Sequence, residues 1–185
     1  TTAPRVTITS PSNTTYSQSN ISFNATVLEP NPETSGTLQL TMLNTGQTGI
    51  NYTLTNYSGN WGFTNLSIPD GVYQARFHIN DTAGNMNNSE SVTFTVDTIK
   101  PQVLSPQSNR SAVANSTLFN INVTVNERYI SNVTVKNTTT LGLINESGLW
   151  KINTTAQALG CPIGLQESPC LLTFNASDVA GNENA

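Results

Sequence analysis

Charge is scarce in this sequence. Seven lysines and arginines and eleven aspartates and glutamates among 185 residues leave a net charge of −4. There is no basic run of any length, which argues against a nucleic-acid surface held by phosphate contacts. Histidine occurs once, at His78, and cysteine twice, at Cys161 and Cys170. A metal site needs more ligands than these can bring together, and a nucleophilic triad needs histidine beside serine and aspartate in a concave site. Paired carboxylates and a phosphate-binding glycine loop are missing too. No enzyme is expected, and no catalytic, cofactor-binding or metal-binding residues. No apolar run approaches the ~18–20 residues of a membrane span. No signal peptide, pilin-like apolar N-terminal helix or lipidation signal is visible, so a mature segment or a slice of a longer chain is expected. Good helix formers are few, and no segment carries a convincing 3.6-residue periodicity.

What is present is a repeat. Residues 71–85, GVYQARFHINDTAGN, align with 168–182, SPCLLTFNASDVAGN, at an offset of 97, and D-x-A-G-N recurs intact. Thr1-Thr2-Ala3-Pro4-Arg5-Val6 aligns with Thr98-Ile99-Lys100-Pro101-Gln102-Val103 at the same offset. The motif N-x-S-G-x-W occurs at Asn56–Trp61 and again at Asn145–Trp150, an offset of 89. The second copy therefore carries about eight extra residues between its tryptophan and its late strand, and both cysteines lie there. With eight residues between them, Cys161 and Cys170 are expected to form a disulfide that ties down the insertion. Such a bond contributes ~2–3 kcal/mol and implies an oxidising compartment. The expected domains are 1–97 and 98–185.

Within each copy apolar and polar residues alternate. Ile21, Phe23, Ala25 and Val27 alternate with Ser22, Asn24 and Thr26; Tyr73, Ala75, Phe77 and Ile79 with Gln74, Arg76, His78 and Asn80. Phe119, Ile121, Val123 and Val125 do the same in the second copy. A period of two with glycine, proline and asparagine punctuation predicts about seven short strands per copy and an all-β sandwich. The order S-G-x-W, D-G-x-Y (Asp70, Gly71, Tyr73), D-x-A-G-N (Asp81 to Asn85) and Val96-Asp97-Thr98 resembles the tandem Ig-like repeats of bacterial and archaeal surface proteins. The resemblance implies two immunoglobulin-like β-sandwiches in series at a cell surface. The second copy departs from the pattern: Cys170 stands for the tyrosine, Asp-Gly is absent, and the closing strand is wanting. That strand is expected from following residues or from a neighbouring subunit.

The single motifs read mainly as structure. D-x-A-G-N is a turn in which aspartate caps backbone and glycine goes left-handed. Its alternative, calcium, would need 6–8 oxygens from several loops in a sequence poor in acid. Trp61 and Trp150 fit core or edge packing better than sugar-stacking platforms. Tyr73 sits where a tyrosine corner would bond upstream backbone. His78 falls on a polar strand face.

The sequons are the loudest signal. Asn-x-Ser/Thr without central proline occurs sixteen times: at Asn13, Asn20, Asn24, Asn51, Asn56, Asn65, Asn80, Asn87, Asn109, Asn115, Asn122, Asn132, Asn137, Asn145, Asn153 and Asn175. Chance pairing of 25 asparagines with 46 serines and threonines gives about six. Asn20, Asn24, Asn122 and Asn132 lie on the polar phase of their strands, where sugar and a packed second sheet exclude each other. The alternative is a compositional bias that writes sequons idly. The expectation is an extracellular cell-surface glycoprotein of archaeal type: part of a filament, stalk or S-layer, with N-glycans and with copies of itself or adjacent repeats as partners. The competing expectation is an adhesin module whose loops recognise a carbohydrate or protein.

Overall fold

A computed structural model describes residues 2–28, 35–43, 45–65, 67–162 and 169–184. The chain divides into two units, Thr1–Thr98 and Ile99–Ala185, one residue beyond the division read from the repeat. Both are built of strands, because residues that alternate with a period of two can bury one face only in an extended backbone.

In the first unit β1 (Arg5–Ser10), β3 (Ile21–Leu28) and β6 (Asn60–Asn65) form one antiparallel layer, and β4 (Ser35–Met42), β7 (Gly71–Asn80) and β9 (Ser91–Val96) the other. β5 (Ile50–Tyr57) pairs with both β4 and β6 and joins the layers along one side. β2 (Thr15–Tyr16) runs parallel to β9 at the far edge, and β8 (Met86–Asn87) pairs with the end of β7. β3 buries Ile21, Phe23 and Ala25, and β7 buries Tyr73, Ala75, Phe77 and Ile79, as their alternation requires. Phe94 on β9 meets Phe23 on β3 edge-on at 5.8 Å between centroids and stacks on Tyr73 at 5.6 Å. β3 and β9 are not sheet neighbours, so the Phe23–Phe94 contact spans the two layers. Trp61 is fully buried in the same core. Burial of each such ring is worth about 1.5–3 kcal/mol. Gly36 on β4 makes room for the indole: a Cβ there would come within 3.3 Å of Trp61 and 3.1 Å of Ile79.

The second unit repeats this plan in separate sheets. One has the order β10 (Gln102–Ser108), β11 (Phe119–Asn126), β15 (Leu149–Thr154), β14 (Ile144–Glu146). The other has β13 (Thr140–Gly142), β12 (Ile130–Lys136), β16 (Thr173–Asp178). Ile121 and Val123 from the first sheet pack with Val133, Val135 and Ala176 from the second. The tryptophans hold equivalent places: Trp61 lies opposite Ala25 and Trp150 opposite Val123. β16 is an edge strand, and among the described residues no counterpart of β9 lies beside it.

The described residues are all-β except for one helical turn in the insertion. α1 (Ala156–Leu159) is one turn long, started by Thr155, whose Oγ1 accepts from Ala158 N at 3.1 Å, and stopped by Gly160 at φ 71°. It inserts Leu159 into the core and delivers Cys161 to Cys170, with which it forms a disulfide with Cα atoms 5.2 Å apart. The remainder of the insertion, 163–168, lies outside the described residues.

Candidate functional site

The outer surface collects the sequon asparagines. Nine of them are exposed: Asn13, Asn20, Asn24, Asn51, Asn109, Asn132, Asn145, Asn153 and Asn175. Asn56, Asn80, Asn87, Asn115, Asn122 and Asn137 are half-buried, and the Asn65 side chain lies outside the described ones. None of the fifteen described side chains falls in either core. The cause is strand phase. Asn24 follows Phe23 on β3, so it faces away from the core, and Gly62 lies directly opposite. A Cβ on Gly62 would stand 2.8 Å from Asn24 Oδ1, so the glycine leaves that side chain its space. On the second unit's β12–β16 sheet, Asn132 lies opposite Ser177 and Asn175 opposite Thr134, again on the outer face.

The two N-x-S-G-x-W motifs fold alike. Ser58 and Gly59 have φ of 55° and 86°, and Ser147 and Gly148 have 55° and 89°. Positive φ at both central residues is the two-residue hairpin turn whose twist matches the flanking strands. Asn56 Oδ1 accepts from Gly59 N at 2.8 Å, and Asn145 Oδ1 accepts from Gly148 N at 2.9 Å. Each asparagine thus holds its turn with the oxygen and leaves the amide nitrogen, the atom that bears an N-linked sugar, out of the turn bond.

That distinction between oxygen and nitrogen sorts other sequons. Asn109 Oδ1 accepts from Asn120 N at 2.8 Å, and Asn153 Oδ1 accepts from Asn120 Nδ2 at 3.1 Å. Three sequon asparagines instead donate from Nδ2: Asn87 to Pro4 O at 2.9 Å, Asn122 to Asn120 Oδ1 at 3.2 Å, and Asn137 to Leu171 O at 2.7 Å. Asn120, which is not a sequon residue, is the hub of the Asn109–Asn122–Asn153 cluster. Its alternation on β11 placed it outward, but nothing local foretold its partners.

The other motifs are occupied with structure. Asp81 Oδ1 accepts from Ala83 N at 2.9 Å and Asn85 N at 2.8 Å, and its Oδ2 accepts from Asn85 Nδ2 at 2.7 Å. The Asn85 side chain, helped by the turn amides, holds the Asp81 carboxyl below the usual aspartate range. Asp178 Oδ1 accepts from Asn182 N at 2.9 Å and its Oδ2 from Asn182 Nδ2 at 2.8 Å. Gly84 and Gly181 take φ of 85° and 87°. Both oxygens of each aspartate are thus engaged by their own turn. Tyr73 donates its hydroxyl to Pro69 O at 2.8 Å, the corner its position predicts. Burial foremost, then the nearby Asp70 charge, raises the Tyr73 pKa. His78 lies opposite Thr37 on the outer face, and burial together with the Arg76 charge lowers its pKa.

One feature lay outside the sequence reading: a cleft of about 220 Å³ in the first unit, lined among others by Met42, Ile50, Tyr52, Pro69 and Tyr73. Ile50 and Tyr52 are the available signal, being apolar residues two apart on a strand whose neighbours are polar, but strand phase alone does not reveal a concavity.

Residues 1–98 match the family described as bacterial Ig-like domain. Among solved structures the chain is similar to the fibronectin(III)-like modules of CbhA from Clostridium thermocellum, at 18% identity and TM-score 0.53, over 98% of this chain and 90% of that one. It is similar as well to domains A168-A170 from titin, at 11% identity and TM-score 0.56, over 97% of this chain and 62% of that one. At these identities the likeness is one of fold. No curated protein matches the chain.

Proposed function

Because the chain belongs to the bacterial Ig-like domain family, whose modules are generally structural and not enzymatic, we propose that it is a structural subunit or segment of an extracellular filament, stalk or surface layer, heavily N-glycosylated and of archaeal type. The work is mechanical: projecting, spacing or sheathing. Neighbouring repeats or further copies of the chain are its partners in the fibre, and strand complementation is a route by which they join. The observation that carries the reading is the placement of the sequons. Sixteen are written, and every described one keeps its asparagine out of the cores. Sugar on outer strand faces also keeps sheets from pairing edge to edge. The disulfide fits an oxidising compartment, and among the described residues no helix is long and apolar enough to cross a membrane.

Mass spectrometry of native protein before and after deglycosylation tests this. Most sequons are expected to carry sugar. Occupancy at fewer than about four sites would make compositional bias the better explanation.

The cleft beside Tyr52 favours a second reading, an adhesin whose loops recognise a carbohydrate or protein. Saturable binding on a glycan array that Tyr52→Ala abolishes, with the fold intact, would favour the adhesin over the purely structural role.

A further inference from the structure

Asn24 stands beside a shallow hollow on the outer face of the first unit. The hollow, about 180 Å³, is lined by Asn24, Tyr57, Asn60, Gly62, Phe63 and Thr64. Strand register accounts for it. β6 lies between β3 and β5, so Asn24, Gly62 and Thr55 form one row across the outer face and Thr26, Asn60 and Tyr57 the next. Gly62 is the floor: with no side chain in the middle of its row, the neighbours stand around a gap. A Cβ there would come within 2.8 Å of Asn24 Oδ1, so the Asn24 side chain already leans over that gap. Among the described residues no hydrogen bond holds the Asn24 side chain. Tyr57 is the far wall, an aromatic residue 66% exposed among small polar neighbours.

The second unit has the same row and fills it. Asn122 is the counterpart of Asn24, since Val123 lies opposite Trp150 as Ala25 lies opposite Trp61. Lys151 lies opposite Asn122, where Gly62 lies opposite Asn24. Glu146 holds the place of Tyr57 in N-x-S-G-x-W and lies opposite Leu149 as Tyr57 lies opposite Asn60. Lys151 Nζ and Glu146 Oε2 form an ion pair where the hollow would be. Asn122 itself is half-buried and donates from Nδ2 to Asn120 Oδ1 at 3.2 Å. One position of the fold thus occurs in two forms: an open hollow beside an exposed asparagine, and a bridged one beside an asparagine already bonded.

We propose that the hollow is a carbohydrate seat, filled by the first sugar of an N-glycan on Asn24 with its C–H face against the Tyr57 ring. The proposal rests on the glycoprotein reading above and adds a place where sugar binds the fold. The reach is right. Neighbouring strands are ~4.8 Å apart, so β3 and β5, on either side of β6, are ~10 Å apart. The Asn24 side chain covers the first step, to Gly62, and one pyranose ring covers the second. The chemistry matches too. A pyranose carries hydroxyls around its rim and C–H groups on its faces. Tyr57 offers an apolar ring with a polar tip, and Asn60 and Thr64 stand where rim hydroxyls can bond them. Only the folded chain brings Asn24 and Tyr57 together, so contact between sugar and ring stabilises the folded state. The Lys151–Glu146 pair offers no such face, because a sugar seated there would have to desolvate both charges.

The test is a double-mutant cycle on the full chain, made in a host that attaches the native sugar. Thr26→Val removes the sequon at Asn24 but keeps the asparagine. Tyr57→Ala removes the ring but keeps the sequon at Asn56, of which Tyr57 is only the middle residue. Glycopeptide mapping gives the occupancy of Asn24, and hydrogen exchange at the first unit's slowest amides reads its stability. Tyr57→Ala is expected to speed that exchange at least about threefold more with sugar on Asn24 than in the Thr26→Val background. Tyr57→Phe, which keeps the ring, is expected to act alike in both backgrounds. Equal effects of Tyr57→Ala in the two backgrounds would overturn the seat and leave glycosylation standing. An Asn24 without sugar while other sequons are occupied would also overturn the seat alone. Sugar at no sequon would overturn the seat together with the glycoprotein reading.

Discussion

At the residue scale, the two ends of one amide decide what a sequon asparagine can do. Nδ2 is the atom to be modified, and where it is already donating to a backbone carbonyl or to Asn120 that bond must break before sugar can be attached. Asn87, Asn122 and Asn137 are therefore expected to be unmodified, or much less occupied than Asn13, Asn20, Asn51, Asn132 and Asn175, when glycopeptides of native protein are quantified site by site. Asn120→Ala should raise occupancy at Asn122 and leave Asn137 unchanged; equal occupancy at all sites would refute this sorting. Asp81 supplies a pH dependence. Its folded pKa lies below the ordinary aspartate value, so the stability it lends is fully present above about pH 4 and is lost as pH falls through the folded value. The first unit should lose stability on acidification below about pH 4, and Asp81→Asn should flatten that part of the curve in denaturant titrations.

At the element scale, the paired hairpins join local chemistry to core packing. Gly59 and Gly148 occupy left-handed backbone at φ of 86° and 89°. Gly59→Ala or Gly148→Ala should each cost about 1–2 kcal/mol in chemical denaturation. The tryptophan that follows differs between the units. Trp61 is fully buried, whereas Trp150 is half-buried. Trp61→Ala should cost about 3–5 kcal/mol, and Trp150→Ala distinctly less, so equal losses would contradict the observed packing.

At the scale of the whole molecule, the units hold themselves by different means. Among the described residues the first core has fifteen buried apolar residues and seven partly buried ones. The second has nine buried and eleven partly buried, and adds the disulfide. The second unit should therefore melt first in calorimetry. Cys161→Ser with Cys170→Ser should destabilise it by a further ~2–3 kcal/mol and leave the first unit's transition in place, because the closed loop is short and local.

Much of this was legible before the fold was seen, for a physical reason. Period-two alternation, the Ser-Gly and Ala-Gly turns, the Tyr73 corner and the outward phase of Asn24 and Asn132 all follow from backbone geometry over a few neighbouring residues, which the sequence carries within itself. The Cys161–Cys170 bond was legible because its loop is short. α1 was not, since four residues are scarcely more than one helical turn and leave no periodicity to read. Nor was the fate of individual sequons, since Asn87 finds its acceptor 83 residues away at Pro4 and Asn137 finds its own 34 residues away at Leu171. The sequence by itself determined which residues face out and where the chain turns. Tertiary structure alone decided which outward amides are already bonded and how Met42, Ile50, Tyr52 and Tyr73 enclose a cleft, because each depends on what the topology brings alongside.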